Sequence, residues 1–319
     1  MSEREKLRGT GLSLVVLATA CWSTSGLFIS LVVRDSGISP WGLAFWRDLG
    51  TFACLLLGIT VFGSRSQLKV NRRDLLWLAA MGGISIGLFH VMWNMAVLIN
   101  GVSVATVIQA NAPIFVTLMA WLLWREPMTR RKAGAVLLAF VGTLLIARLD
   151  SLGAAQITVF GLLVALAAAL AYGGFSLFGK KLVGAYSPWT VLLYAFGFGA
   201  LTLLPFQMWV VVPWPLPPRV LLWYAALILL STIAGFVLYT TGLRRLQASV
   251  AAIVATTEVP FAAGVSYVVL GERLDGWQAL GAVLVIGGVV LLSWPREGFR
   301  SIVADRRRVR DACGIKREA

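Results

Sequence analysis

Four ionisable residues lie inside long apolar runs of this 319-residue chain: Arg47, Asp48, His90 and Glu258. Ionisable groups within a hydrocarbon layer are costly, so they mark substrate, ion or proton handling. Glu258 stands about nine residues into its run, roughly 13 Å along a helix, and two residues before Pro260. Desolvation disfavours the charge of a lone carboxylate. Glu258 therefore either takes the coupling proton or a substrate amine, or sits as a neutral acid hydrogen-bonded within the bundle. Arg47 and Asp48 are adjacent and point about 100° apart on a helix, so each needs its own partner. The Arg47 guanidinium can hold a carboxylate through two hydrogen bonds; a buried ion pair is its other reading. His90, the single histidine, titrates nearest neutral pH and otherwise serves as hydrogen-bonded packing. Glu258, His90 and Asp48 are the proton-coupling candidates.

Neighbouring residues extend these positions into a candidate cavity wall. His90, Trp93 and Asn94 share one helix face at i, i+3 and i+4, and Gly83 and Gly87 continue it as a cavity lining or a close-packing stripe. Trp22 and Trp93 lie within apolar runs, as do Tyr172 and Tyr239. Aromatic rings there offer stacking and cation–π contacts, or simply pack. Pro113 and Pro260 lack an amide donor and disturb the helix one turn back, near Gln109 and Thr256. Asn111, like Glu258, stands two residues before its proline. It is the candidate preferred over Gln109, which faces away from it. The substrate-binding set is thus Trp22, Arg47, His90, Trp93, Asn94, Asn111, Tyr172, Tyr239 and Glu258.

The elements that must hold these residues are membrane helices. The chain is 59% hydrophobic and 13% charged, with mean hydropathy +0.83, against roughly 25% charged in soluble domains. Ten apolar runs of spanning character are expected near 12–33, 40–61, 75–98, 102–124, 133–147, 157–179, 188–212, 220–243, 249–270 and 277–294. With both termini in the cytoplasm, 23 of the 28 Lys and Arg residues fall on the inner side and 4 outside, as the positive-inside rule requires. Trp41, Trp77, Trp124, Trp189, Trp209, Trp223, Trp277 and Trp294 fall near run ends, where indoles suit the headgroup layer. The net charge of +14 is therefore an orientation signal and not a nucleic-acid footprint. Three cysteines make no disulfide framework.

The chain also repeats itself. Residues 103–146 and 249–292 both run from Ser-Val-Ala through a Pro-bearing apolar stretch and a Glu-containing hinge (Glu126, Glu272) to a Gly-rich stretch. Upstream, Ser39-Pro40-Trp41 matches Ser187-Pro188-Trp189, and Leu75-Leu76-Trp77 matches Leu221-Leu222-Trp223, at offsets near 146–150. The same offset relates Trp22 to Tyr172 and Trp93 to Tyr239. Each unit holds five helices, an odd number, so the second must enter the membrane in the opposite sense. The basic first hinge and the acidic second hinge agree. Inverted repeats are a transporter architecture with its site between the repeats near mid-membrane.

The twice-repeated Pro helix, Glu hinge (Arg125-Glu126-Pro127; Gly271-Glu272-Arg273-Leu274) and Gly-rich helix resembles the EamA-type members of the drug/metabolite transporter superfamily. The resemblance covers about 11–295 and implies an all-α membrane protein of ten helices in two inverted five-helix repeats. The first repeat is expected at 1–150, the second at 151–295, and a basic cytoplasmic tail at 296–319. It further implies alternating access and export of a small organic metabolite, such as an amino acid or an aromatic compound, across the inner membrane, with proton coupling. Small-molecule substrate and membrane lipid are the expected partners; no cofactor, metal or nucleic acid is expected. The chain lacks Gly-x-x-x-x-Gly-Lys-Ser/Thr, His-Glu-x-x-His and Gly-x-Ser-x-Gly, so neither an ATP-driven pump nor an intramembrane enzyme is expected. A passive channel or lipid flippase is the alternative.

Overall fold

A computed structural model describes residues 3–93, 95–96, 99, 108–109, 112–146, 158–210, 215–270 and 276–293. The tail, the second hinge and both Asn94 and Asn111 lie outside them. The described residues are helical apart from turns and short connections. Among the described residues, six helices are long and apolar enough to cross a membrane: Lys6–Ser36, Pro40–Phe62, Arg72–Trp93, Val159–Leu182, Pro188–Trp209 and Pro218–Arg245. Shorter apolar helices cover Ala112–Trp124, Ala248–Ala262 and Ala279–Leu291. Their outward faces carry large apolar side chains, Phe62 at 90% and Leu76 at 75% exposure among them. That suits lipid and would be unusual in water.

The repeated Ser-Pro-Trp has a local cause. Ser39 Oγ accepts from the Gly42 amide at 3.1 Å and Ser187 Oγ from the Thr190 amide at 3.2 Å. In both, proline fills the first helical turn, where no amide donor is missed. Packing follows the repeat as well. Pro40–Phe62 lies against Pro188–Leu203, Ala112–Trp124 against Ala248–Ala255, and Arg130–Ile146 against Gly276–Ser293. Ser25–Ser36 packs on Pro218–Ala226, as Val159–Leu182 packs on Arg72–Gly82. Each contact thus joins equivalent helices or has an equivalent in the other half, as a pseudo-two-fold axis requires.

Four interruptions divide these helices. The first span breaks at Ser23–Thr24, between Glu3–Trp22 and Ser25–Ser36. Ser23 Oγ donates to Ala20 O at 2.8 Å and Thr24 Oγ1 to Cys21 O at 2.7 Å, competing with the helical ladder. The helix Ala248–Ala255 likewise ends at Thr256–Thr257 before a new helix, Glu258–Leu270, and both threonines bond back three residues. Pro260 removes the amide that would bridge this break. The two breaks meet: Thr19 Oγ1 lies 2.8 Å from Thr257 Oγ1. The other two interruptions are π-helical segments, Gly83–Leu88 and Leu227–Ala234. They occupy corresponding places in the two halves, and such widened turns recur at functional sites.

Candidate functional site

The breaks surround a cavity of about 210 Å3. Its wall includes Trp22, Arg47, His90, Trp93, Tyr172, Glu258 and Pro113, drawn from six separate stretches of chain. Phe89, Ser176 and Phe236, which sequence reasoning missed, also line it, as do Gln109, which it set aside in favour of Asn111, and Thr256, which it named only as a disturbed helix position. The wall obeys the repeat. Trp22 and Tyr172, Gly26 and Ser176, Gln109 and Thr256, and His90 and Phe236 are each separated by 146–150 residues. Signals for the polar groups of this wall existed: Ser23-Thr24-Ser25-Gly26 and Thr256-Thr257 interrupt otherwise apolar runs.

Charge is arranged unevenly around this space. Arg47 is 8% exposed, and its Nε donates to Thr232 Oγ1 at 2.9 Å. Thr232 belongs to the second π segment and in turn donates to Leu227 O at 2.8 Å. No carboxylate lies within ion-pair distance of Arg47 among the described residues. Arg47 nevertheless feels the fields of both Asp48 and Glu258. Glu258 opens the first turn of its helix and lines the cavity with Tyr172. A carboxylate at a helix N-terminus is favoured by the helix dipole.

Asp48 has a partner of its own, as its register beside Arg47 requires. It is fully buried behind His90, with Oδ1 2.9 Å from His90 Nδ1, and does not line the cavity. The 100° angle between adjacent residues explains this: Arg47 faces the cavity, so Asp48 faces the neighbouring helix. His90 is thus a bridge, one edge on the cavity and the other on Asp48.

The aromatic set needs one correction. Tyr239 is 2% exposed and lies beneath the wall rather than on it. Its hydroxyl bonds Ser176 at 2.5 Å, and its ring sits 5.0 Å from Trp22. Trp22 also meets Phe236 at 5.0 Å and Tyr172 at 6.3 Å, and Phe89 joins Tyr172 at 5.3 Å and Trp93 at 6.4 Å. The result is an aromatic box with Tyr239 as its base. Trp22 Nε1 and Gln109 Oε1 are buried on this wall without hydrogen-bond partners among the described residues. Orphaned polar atoms at a cavity are positions a ligand or water can satisfy.

Pro260 is not on the wall either; Val259 and Ala262 flank it there. Gly83 and Gly87 face the helix Pro188–Leu203, not the cavity. A Cβ on Gly87 would stand 2.9 Å from Gly199 O, and one on Gly83 3.1 Å from Thr202 Oγ1. The glycine stripe is therefore a close-packing seam. Among the described residues no group of histidine, cysteine or carboxylate side chains has the arrangement of a metal site.

A continuous buried stretch adjoins the cavity through Ala252, Ala255 and Thr256. Every residue of Ala248–Ala255 is buried, as are Thr256, Thr257, Leu182, Phe196 and Leu243. Gly242 lets its helix approach Gly11 so closely that a Cβ would stand 2.8 Å from Gly11 O.

Comparison with known proteins agrees with this arrangement. The EamA-like transporter family matches the chain twice, over residues 9–148 and 159–294. An uncharacterized transporter of Archaeoglobus fulgidus is 25% identical over 87% of this chain and 95% of its own. The uncharacterized transporter YwfM of Bacillus subtilis is 26% identical over 91% and 97%. The uncharacterized inner membrane transporter YicL of Salmonella typhimurium is 25% identical over 89% and 95%. A solved crystal structure shares the fold, with a TM-score of 0.73 at 18% identity over 89% of this chain and 96% of that one.

Proposed function

The chain belongs to the EamA-like transporter family, and from that premise we propose that it is a secondary carrier exporting a small zwitterionic metabolite with a bulky apolar or aromatic group. Its ten spans form two inverted five-helix repeats, about 1–150 and 151–295, with both termini and the basic tail 296–319 in the cytoplasm. Transport proceeds by alternating access, coupled to the proton gradient.

One observation carries the reading: a single small cavity holds a guanidinium, a carboxylate and an aromatic box. In this reading Arg47 takes the substrate carboxylate through its free fork. Glu258, with Tyr172, takes the amine or, when the cavity is empty, the coupling proton. Trp22, Phe89, Trp93 and Phe236 enclose the side chain, and His90 relays charge between the cavity and Asp48. Asn94 and Asn111 would be further polar ligands. Ligand pockets for drug-sized molecules run to about 300–1,000 Å3, so a cavity of about 210 Å3 suits one small metabolite and not a lipid. The buried stretch adjoining it favours a carrier over an open pore.

Counterflow in proteoliposomes tests this. Internal L-phenylalanine should accelerate uptake of labelled L-phenylalanine, and an imposed pH gradient should drive net flux. Glu258→Gln should abolish the gradient-driven flux at unchanged expression. Unaltered rate and pH profile in that variant would remove Glu258 from the mechanism.

A further inference from the structure

The hinge glutamate of the first half is engaged well away from the cavity. Glu126 Oε1 accepts from the Ala248 amide at 3.0 Å, and its Oε2 accepts from the Ser249 hydroxyl. Lys132 Nζ donates to the same Oε2 at 3.3 Å. Ala248 and Ser249 open the helix Ala248–Ala255, whose preceding residue Gln247 provides no side-chain cap. Glu126 is therefore a cap supplied by the opposite half of the protein, set on the positive end of the helix dipole. Its side chain is 10% exposed and that of Lys132 5%, so water competes little for the pair.

The backbone is bent to make this contact. Arg125 has φ 52°, the single non-glycine residue with positive φ among those described. Left-handed backbone is unfavourable for a side-chain-bearing residue and persists where its surroundings enforce it. The Glu126 amide returns to Ala120 O at 3.2 Å, turning the carboxylate toward the other half. Lys180, whose charge interacts with Glu126, donates to Leu243 O at 2.9 Å and to Leu246 O. It thereby fixes the turn that leads into Ala248. From Ala248 to Glu258 is ten residues, about 15 Å of helix, and every intervening residue through Thr257 is buried. The carboxylate thus clasps the foot of the helix that walls the cavity, at the Lys- and Arg-rich end.

We propose that Glu126 is the latch of the cytoplasmic gate: its bonds to Ala248 and Ser249 hold the two halves shut on that side, and their release opens the cavity inward. This rests on the carrier reading and its orientation. Opening would leave the first amides of the helix to water, which satisfies them in turn. The latch can therefore be exchanged without stranding a donor, as a gate requires.

The test uses the full chain with Cys21, Cys54 and Cys313 replaced by Ser and a reporter, Ala252→Cys, on the cavity wall. A membrane-impermeant thiosulfonate is applied to right-side-out and to inside-out vesicles. Glu126→Gln should raise labelling from the cytoplasmic face about tenfold, the weight of one charge-assisted hydrogen bond, and lower it from the external face. Ser249→Ala should shift both rates in the same directions by less. Unchanged rates in a Glu126→Gln protein that remains monodisperse would overturn the proposal, as would a rise from both faces together. If Glu126→Gln does not fold, Ser249→Ala decides. L-Phenylalanine counterflow is measured in parallel: its absence from the unsubstituted protein refutes the substrate reading, while labelling still reads the latch.

Discussion

Gly235→Ala should narrow the cavity without replacing any residue on its wall. A Cβ at Gly235 would stand 2.6 Å from Trp22 Cδ1 and 2.7 Å from Nε1. Carbon contacts relax at about 3.5–4.0 Å, so the indole must move by about 1 Å. Phe236 and Tyr239 both sit 5.0 Å from the indole, and Tyr239 is fixed by Ser176. The free direction is the cavity. A step of that size removes on the order of one water's volume, about 30 Å3, from about 210 Å3. For a substrate that fills the box, an excess of one methylene is worth about 1–3 kcal/mol, or about 10–200-fold in kcat/KM. L-Tryptophan and L-phenylalanine should lose transport in that order, while L-alanine is unchanged. The assay is counterflow of the three amino acids in proteoliposomes, with thermal unfolding in detergent as the control. Unfolding should register an overpacking cost of about 1–3 kcal/mol. Trp22→Phe in the same chain removes the clashing Nε1 and should restore much of the size series, a coupling that double-mutant analysis can isolate. An equal loss for all three substrates, or an unchanged series, would refute the argument that Trp22 forms a movable wall of the site.

Arg47→Lys keeps the charge but loses the fork and the Nε bond to Thr232; KM for L-phenylalanine should rise about tenfold or more, while phenylalaninamide, which lacks the carboxylate, is unaffected. Gly82→Ala would place a Cβ 2.4 Å from Ala195 O, whereas one at Gly264 meets nothing within 4 Å; unfolding in detergent should show Gly82→Ala destabilised by about 1–3 kcal/mol and Gly264→Ala nearly neutral. Glu272 and Ser103 are the repeat partners of Glu126 and Ser249, each at an offset of 146 residues. Glu272→Gln should therefore raise reporter labelling at Ala252→Cys from the external face, the reverse of Glu126→Gln.

The periodic features were legible because they rest on local chemistry. Apolar run length, the Ser-Pro helix starts and the hinge glutamates can each be read from a few neighbouring residues. The gathering of Trp22, Arg47, His90, Trp93, Tyr172 and Glu258 around one cavity followed from combining these runs with the repeat. What escaped depends on how helices lie against each other. No local pattern says that Gly87 faces Gly199 rather than a cavity, that Asp48 turns behind His90, or that Tyr239 drops below the wall. The π segments have no sequence signature either; they are visible only as widened turns that put Thr232 beside Arg47. The role of Glu126 needed a partner more than a hundred residues away.

The two halves match in shape but not in charge, and the difference bears on mechanism. By the repeat offset, Arg47 and Asp48 correspond to Ala195 and Phe196, His90 to Phe236, and Glu258 to Asn111. Ala195 and Phe196 are fully buried apolar residues, so the second half carries no counterpart of the cationic site. The first half thus contributes Arg47 with its Asp48–His90 neighbour, and the second contributes Glu258. In the proposed carrier cycle, rocking of one half against the other would change the Arg47–Glu258 separation, and in a site of low dielectric their attraction depends steeply on that distance. A zwitterion that bonds both groups satisfies two buried charges at once and ties the halves together. A ligand bearing only one charge leaves the other unpaired, which is costly when removed from water. On the proposed carrier reading, the asymmetry would select for substrates carrying both an anionic and a cationic group, at the interface between the two halves.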